Sequence, residues 1–284
     1  MKGKFMKTGK VIEMLRKTQG LTQAQLAADI TTRKAIIEAE HKDRVLPYNT
    51  MIKIIERLGV SLRDFEDYRH DHQLPADQAL VYQFEHLSDT SQMSELQTLL
   101  VDAQQLLSSS NLKYIHQLIP ILVALIHIDS YSREQLTTLV MPVWNEVTAT
   151  KNWSKTDFFL INNMLYIFDP LTAQQKGKRV LERIDQYSPR YPLLKNAIVA
   201  NLAYMGIKNP GTISKDQIRQ YLNESIHLTE QNHRYDLRLL SIIRLAVLNH
   251  NIDQARQACD VLDAMGAKPV ADIAKQDFPE LVLK

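Results

Sequence analysis

The sequence predicts an all-α protein: a head of five short helices followed by a solenoid of helical hairpins. Three observations predict this. Apolar residues recur at three- and four-residue intervals through most of the chain, with no alternating β-type run. Polar N-cap residues, Gly20, Gly59 and several prolines punctuate the apolar runs. Glycine is scarce, at 8 of 284 residues, and neither GxGxxG nor GxxxxGKS/T occurs, which excludes the phosphate-cradling loops of nucleotide enzymes. A hydrophobic share of 45% and a charged share of 23% are ordinary for a globular chain.

The elements follow in order. Val11, Ile12 and Leu15 mark a first helix over Lys10–Lys17, closed by Gly20. Thr22 is the N-cap of a second helix that runs to about Asp29, and Thr31 or Thr32 caps a third from Arg33 to about Glu40. After a polar turn and Pro47, a fourth helix runs over Asn49–Leu58. Gly59 ends it, and Ser61 caps a fifth around Leu62–Asp67. The expected thin core is Ile12, Leu15, Leu26, Ile36, Met51, Ile55, Leu58, Val60 and Phe65. Residues 1–68 form this head, 69–76 a linker and 77–284 the body.

In the body, helical runs cover Leu80–Leu87, Met93–Leu107, Leu112–Ile128 with Pro120 inside, and Arg133–Thr148 with Pro142 as a kink. SSSN at 108–111 breaks the chain. Then come Thr156–Phe168, Leu171–Tyr187, Leu193–Met205, Lys215–Gln231, Tyr235–Asn249 and Ile252–Met265. These last six alternate, one apolar nearly all round and the next amphipathic. Such a pattern predicts a two-helix solenoid with inner and outer helices. The repeats are degenerate and TPR-like, with no clean consensus.

Charge is uneven. Residues 1–58 carry 12 basic and 6 acidic residues, whereas the remainder carries 22 basic and 26 acidic. A basic head on a mildly acidic body fits a polyanion partner, although short segments also fluctuate in charge. The second and third helices with their short connection form a helix-turn-helix, whose second helix enters the major groove. On that helix Ile36, Ala39 and Glu40 share the core side, while Arg33, Lys34, Ile37 and Glu38 share the other. Arginine held bidentately to guanine is the commonest specific base contact. Gln23 is placed to donate to a phosphate; Lys42, Arg44 and the Asn49–Thr50 helix start are placed to hold the same backbone further along.

Thr8–Phe65 resembles a lambda-repressor-like helix-turn-helix domain, on Arg16, GLTQ at 20–23, QLA at 25–27, TTRK at 31–34, Glu40 and LGVSLRDF at 58–65. The resemblance implies an ion pair between Arg16 and Glu40, and base reading by Thr32, Arg33 and Lys34. This chain departs from the family pattern in three places. The turn before the third helix lacks its glycine, Glu40-His41-Lys42 stands where ENG often ends that helix, and Ala39 replaces a larger core residue. Such a head followed by helical hairpins is similar to the Rgg/GadR/MutR transcription regulators. That resemblance implies a homodimer that binds double-stranded DNA and senses a short signalling peptide in its helical-repeat domain.

A peptide groove is best lined by carboxamides, which both donate and accept. The inner helices offer Asn162, Asn163 and Tyr166, then Asn201 and Tyr204, then Arg238, Ser241 and Arg244; within each helix, residues three apart share a face. The same groups also suit helix–helix hydrogen bonds within the solenoid. His70-Asp71-His72 reads as a solvated hinge, since it lacks metal-ligand spacing. His116 and His127 read as packed histidines, and Trp144 and Trp153 as core or interface anchors. Cys259, the single cysteine, excludes an intramolecular disulfide and suits either a buried thiol or a dimer cross-link. No catalytic constellation stands out, and nothing calls for a cofactor or a metal. No apolar run reaches the ~20 residues of a membrane span, and no apolar stretch follows the basic start MKGKFMKTGK. The expected location is therefore the cytoplasm. The competing readings are a peptide-binding scaffold without DNA binding, a regulator with a non-peptide ligand or none, and an enzyme with an unrecognised helical site.

Overall fold

The computed structural model describes residues 5–87, 93–107, 112–186 and 190–282. The break expected at 108–111, and Tyr187 at the end of one expected helix, lie outside them. The described residues contain helices and connections but no strands. The chain divides into two compact units at Gln83/Phe84.

The first unit holds α1 (Thr8–Thr18), α2 (Gln23–Ala27), α3 (Arg33–Lys42), α4 (Tyr48–Arg57) and α5 (Leu62–Arg69), and the division falls inside α6 (Ala76–Glu85). Local chemistry starts these helices where the sequence places them. Thr22 and Ser61 each form a reciprocal capping box, with Gln25 and Asp64, and the Thr32 hydroxyl accepts from the Ala35 N–H at 3.2 Å. α2 stops at Ala27, two residues short of the expected Asp29, because the chain turns there. The turn carries no glycine; Asp29 itself adopts the left-handed conformation at φ 57°, which a short polar side chain tolerates. Asp43 ends α3 in the same way at φ 54°.

α1 packs on α3 and α5, and α2 packs on α3 and α4. The core contains Val11, Ile12, Leu15, Leu26, Ile36, Ile55, Leu58 and Phe65. Ile54, absent from the expected set, is fully buried, while Met51 and Val60 are only partly buried. Where α1 meets α3, a Cβ on Gly9 would lie 1.8 Å from the Ala39 carbonyl oxygen. Gly9 thus lets the backbones of α1 and α3 cross closely at Ala39.

The second unit contains α7 (Met93–Leu107), α8 (Lys113–Ile126), α9 (Arg133–Ala149), α10 (Lys155–Ile167), α11 (Pro170–Asp185) and α12 (Pro192–Lys208). α13 (Lys215–Gln231), α14 (Tyr235–Leu248), α15 (Ile252–Ala264) and α16 (Lys268–Asp277) complete it, before a 3-10 turn at Pro279–Leu281. Pro120 and Pro142 lie inside α8 and α9, which continue through them. Each even-numbered helix from α8 to α14 packs on the next even-numbered one, giving a continuous inner layer, and consecutive helices pack as hairpins from α7 to α16.

α16 escapes a reading of the sequence. Its fully buried positions are Ala271 and Ala274, and alanines leave little hydrophobic periodicity to detect. Trp144 and Trp153 are buried, each edge-on to a phenylalanine at 5.3 Å, namely Phe168 and Phe158. Cys259 is buried, and burial pushes its thiol above the ordinary value, which leaves no exposed sulfur for a cross-link. The histidine reading needs correction. His116 is exposed, because α8 buries Ile115, Leu118, Leu122 and Leu125 at helical intervals and His116 falls between them. His127 is half-buried at the end of α8, stacked on Tyr131 at 4.4 Å.

Candidate functional site

In the head, α3 is locked from behind. The Arg16 guanidinium grips the Glu40 carboxylate bidentately, Nε to Oε1 at 2.7 Å and Nη2 to Oε2 at 3.0 Å, and Nη1 donates to the Leu21 carbonyl at 2.8 Å. The Glu40 side chain is fully buried. A bidentate pair fixes orientation as well as distance, so one contact sets the roll of α3 about its axis. Glu40 Oε2 also accepts from Gln23 Nε2 at 2.8 Å. The amide expected to meet a phosphate therefore braces the ion pair. Arg57, which the sequence does not single out, donates to the Ala28 carbonyl at the end of α2 and ties α4 to the turn.

With Glu40 inward, the opposite face of α3 points to solvent. Thr32, Arg33 and Lys34 are exposed, and Ile37 and Glu38 are half-buried. Arg33 and Lys34 make no ion pair among the described residues. The Glu38 carboxylate pairs with the Arg44 guanidinium, and this hydrogen bond holds Glu38 below the usual carboxylate range. Lys42, Asn49 and Tyr48 are also exposed. The leading turn of α3 thus carries two unneutralised cations, and the Glu38–Arg44 pair lies further along the helix. His72 bonds Asp67 at 2.5 Å beyond α5, but His70 is largely buried and lies edge-on to Phe5 at 4.3 Å, so this stretch inside the first compact unit is packed and only Asp71 and His72 are solvated. Glu13, Glu40 and His41 bring ligand atoms together, but Glu13 is already bridged by Lys10 and Lys17, and Glu40 by Arg16.

In the body, the expected groove residues separate into two sets. Ser241 is 2% exposed and its hydroxyl meets the Ser225 hydroxyl at 2.6 Å, which in turn donates to Asn196 Oδ1 at 2.6 Å. This is a buried helix–helix network joining α12, α13 and α14. Asn163 donates to the Phe159 carbonyl of its own helix at 2.9 Å. Arg238 is half-buried and lies 3.7 Å from Glu230.

The remaining residues form a strip across the inner layer. Asn201 donates to Asn162 at 3.2 Å, between α12 and α10. One turn along, the rings of Tyr166 and Tyr204 stack at 6.2 Å and 20°. Arg244 of α14 lies over Tyr204, 4.7 Å from the ring centroid, and Nη2 reaches Asp277 of α16 at 3.3 Å. Burial, and then the hydrogen bond from its hydroxyl to Asp277, push Tyr204 well above its ordinary value. Lys208 donates to the Asp277 carbonyl and lies 5.1 Å from the Phe278 ring. Asp277, Lys208 and Phe278 were not predicted, since they gather around the unforeseen α16. The Lys-Pro pair at 268–269, with proline in the first helical turn, is the one sequence signal that marks it.

Residues 12–65 match the helix-turn-helix family. That match decides the head. Residues 12–65 form a helix-turn-helix domain. Solved structures similar to the whole chain include a Listeria monocytogenes EGD-e protein described as a candidate transcriptional regulator, at 16% identity and a TM-score of 0.76, covering 98% of each chain. The SHP pheromone receptor Rgg2 of Streptococcus dysgalactiae is similar at 14% identity and a TM-score of 0.67, covering 96% of this chain and 99% of that one. Bacillus thuringiensis PlcR, solved with the peptide PapR7 and DNA, is similar at 13% identity and a TM-score of 0.66, covering 93% and 98%. The fold of this chain is therefore like that of these proteins over 93–98% of its length. No curated protein sequence matches it. No helix among the described residues is long and apolar enough to cross a membrane.

Proposed function

We propose that this chain is a cytoplasmic, homodimeric transcription regulator that binds double-stranded DNA through its head and a short signalling peptide through its body. The observation that carries the DNA reading is the back-to-front arrangement of α3: Glu40 latched to Arg16 on one side, Arg33 and Lys34 exposed and without an ion-pair partner among the described residues on the other. In a helix-turn-helix that exposed turn is the one that meets base edges. Thr32, Arg33, Lys34 and Ile37 read the groove, while Lys42 and Asn49 hold phosphates. Glu38 positions Arg44 for the same backbone, and Gln23 acts through Glu40. Relatives of the same fold whose solved complexes contain DNA and a peptide support this reading. For the peptide, the support is the strip of Asn162, Asn201, Tyr166, Tyr204 and Arg244, which offers amides, flat aromatic faces and a cation in sequence along the inner layer.

The test is fluorescence anisotropy of the full chain with duplexes tiled across the DNA upstream of its own gene. One duplex should bind tightly and lose affinity steeply as salt rises, because each neutralised phosphate releases counterions. If no duplex binds better than random sequence, the chain is a peptide-binding scaffold and the regulator reading fails.

A further inference from the structure

Arg244 is 6% exposed and under-used. Its two acceptors among the described residues are distant, Asp277 Oδ2 at 3.3 Å and the Ala200 carbonyl at 3.4 Å, and its buried Nε–H meets no acceptor among them. A buried guanidinium with an orphaned donor is costly, because the desolvated N–H gets nothing back. Nε and Nη2 lie on the same edge of the guanidinium, the edge that a carboxylate grips with both oxygens. Asp277 occupies only half of that edge. Asp277 is also contested, since it accepts the Tyr204 hydroxyl as well. Arg244 sits beneath the half-exposed Tyr204, at the end of the strip that begins with Asn162 and Asn201. The exposed Lys208, 5.8 Å from the centroid of the same ring, adds a second positive charge at that end.

We propose that Arg244 is the receptor for a carboxylate of the bound ligand, and that Asp277 is the internal stand-in that occupies it beforehand. This inference rests on the peptide-groove reading and deepens it: the ligand is a peptide with a free carboxylate at the Arg244 end. On binding, that carboxylate takes both Nε–H and Nη2–H. Asp277 leaves Arg244, and with it the C-terminal end of α16 loses its ion pair to α14, while the apolar packing between the two helices stays. A ligand can shift a conformational equilibrium only by binding the two states unequally. Here the inequality is the exchange of one distant hydrogen bond for two charge-assisted ones.

The experiment uses the full-length chain and random octapeptide pools built from uncharged residues. One pool has free C-termini, one has C-terminal amides, and a third is amidated but carries a single glutamate. Peptides retained on the protein through gel filtration are quantified by mass spectrometry. The expected result is that free acids, the glutamate pool, or both exceed the uncharged amides by about tenfold, the factor that one charge-assisted contact supplies. Which pool wins identifies a C-terminal or a side-chain carboxylate. Asp277→Asn should raise retention of the winning pool about threefold or more, since a neutral carboxamide competes less well for the guanidinium. Arg244→Gln should level all three pools. Equal retention of acids and amides by the unaltered protein overturns the carboxylate receptor while leaving the groove intact. A fall in retention with Asp277→Asn overturns the stand-in role. If no pool is retained at all, the groove reading itself fails and takes this inference with it. The pool comparison needs no variant, so a poorly folded Arg244→Gln would not blunt the test.

Discussion

Arg16 in the head and Arg244 in the body are buried to nearly the same extent, 8% and 6% exposed, yet they are held very differently. Arg16 makes three bonds of 2.7–3.0 Å and leaves no nitrogen stranded. Arg244 makes two bonds of 3.3–3.4 Å and strands Nε. Burial alone thus does not reveal what a charged residue does. A saturated guanidinium is a fixed joint, and here it orients the helix that faces the proposed DNA. An unsaturated one keeps bonding capacity in reserve, at the end of the strip proposed to meet a ligand.

The sharpest way to break this comparison is to remove each carboxylate partner. Glu40→Ala strands a saturated buried cation and should destabilise the head by about 3–5 kcal/mol in urea unfolding. Asp277→Ala removes a 3.3 Å bond to Arg244, which already has a stranded donor, together with the acceptor of the Tyr204 hydroxyl, and should cost less, about 1.5–3 kcal/mol. Equal losses would mean that both arginines are structural joints. A second probe, Gly9→Ala, leaves every charge in place but sets a methyl group against the Ala39 carbonyl. It should cost about 1–3 kcal/mol in the same unfolding measurement and weaken DNA binding by tilting α3. Unchanged stability would show that the α1–α3 crossing is looser than the structure makes it.

Arg33→Ala tests the exposed face that the Arg16 joint presents. It should lower affinity for the best duplex by about 1–3 kcal/mol and relax preference at one base pair, read by anisotropy against single-base variants. An equal loss on every sequence would make Arg33 a phosphate contact. The smallest effect concerns Glu13, whose carboxyl the Lys10 and then Lys17 hydrogen bonds lower from 4.5 to about 2. Because the folded value is depressed, the contribution of Glu13 to stability is present above about pH 4.5 and lost as pH falls towards 2. An NMR titration of Glu13 with an ordinary midpoint would contradict the bridge.

Much of this protein is written locally. Thr22, Thr32 and Ser61 start their helices because a hydroxyl meets a free N–H within one turn, and no distant residue is needed. The helix-turn-helix and its outward cations follow from spacings in one short stretch, so they were legible, whereas the Arg16–Glu40 pair was legible only through the family resemblance. The pairing of inner helices was legible too, from the alternation of apolar and amphipathic runs.

Other features depended on what lay opposite. Nothing in the face shared by Arg238, Ser241 and Arg244 separates them. The structure sends Ser241 into a buried hydroxyl network and Arg244 towards Tyr204, because their neighbours come from α13 and α16. Gly9 is needed only because Ala39 crosses it, and Gln23 turns to Glu40 only because α3 brings the carboxylate there. The sequence by itself determined where helices begin, which of their faces are apolar, and that the head is a helix-turn-helix, since these depend on contacts within a turn or two. Tertiary structure alone decided which polar groups are satisfied and which are left reaching, because a hydrogen bond across helices depends on partners far apart in the chain.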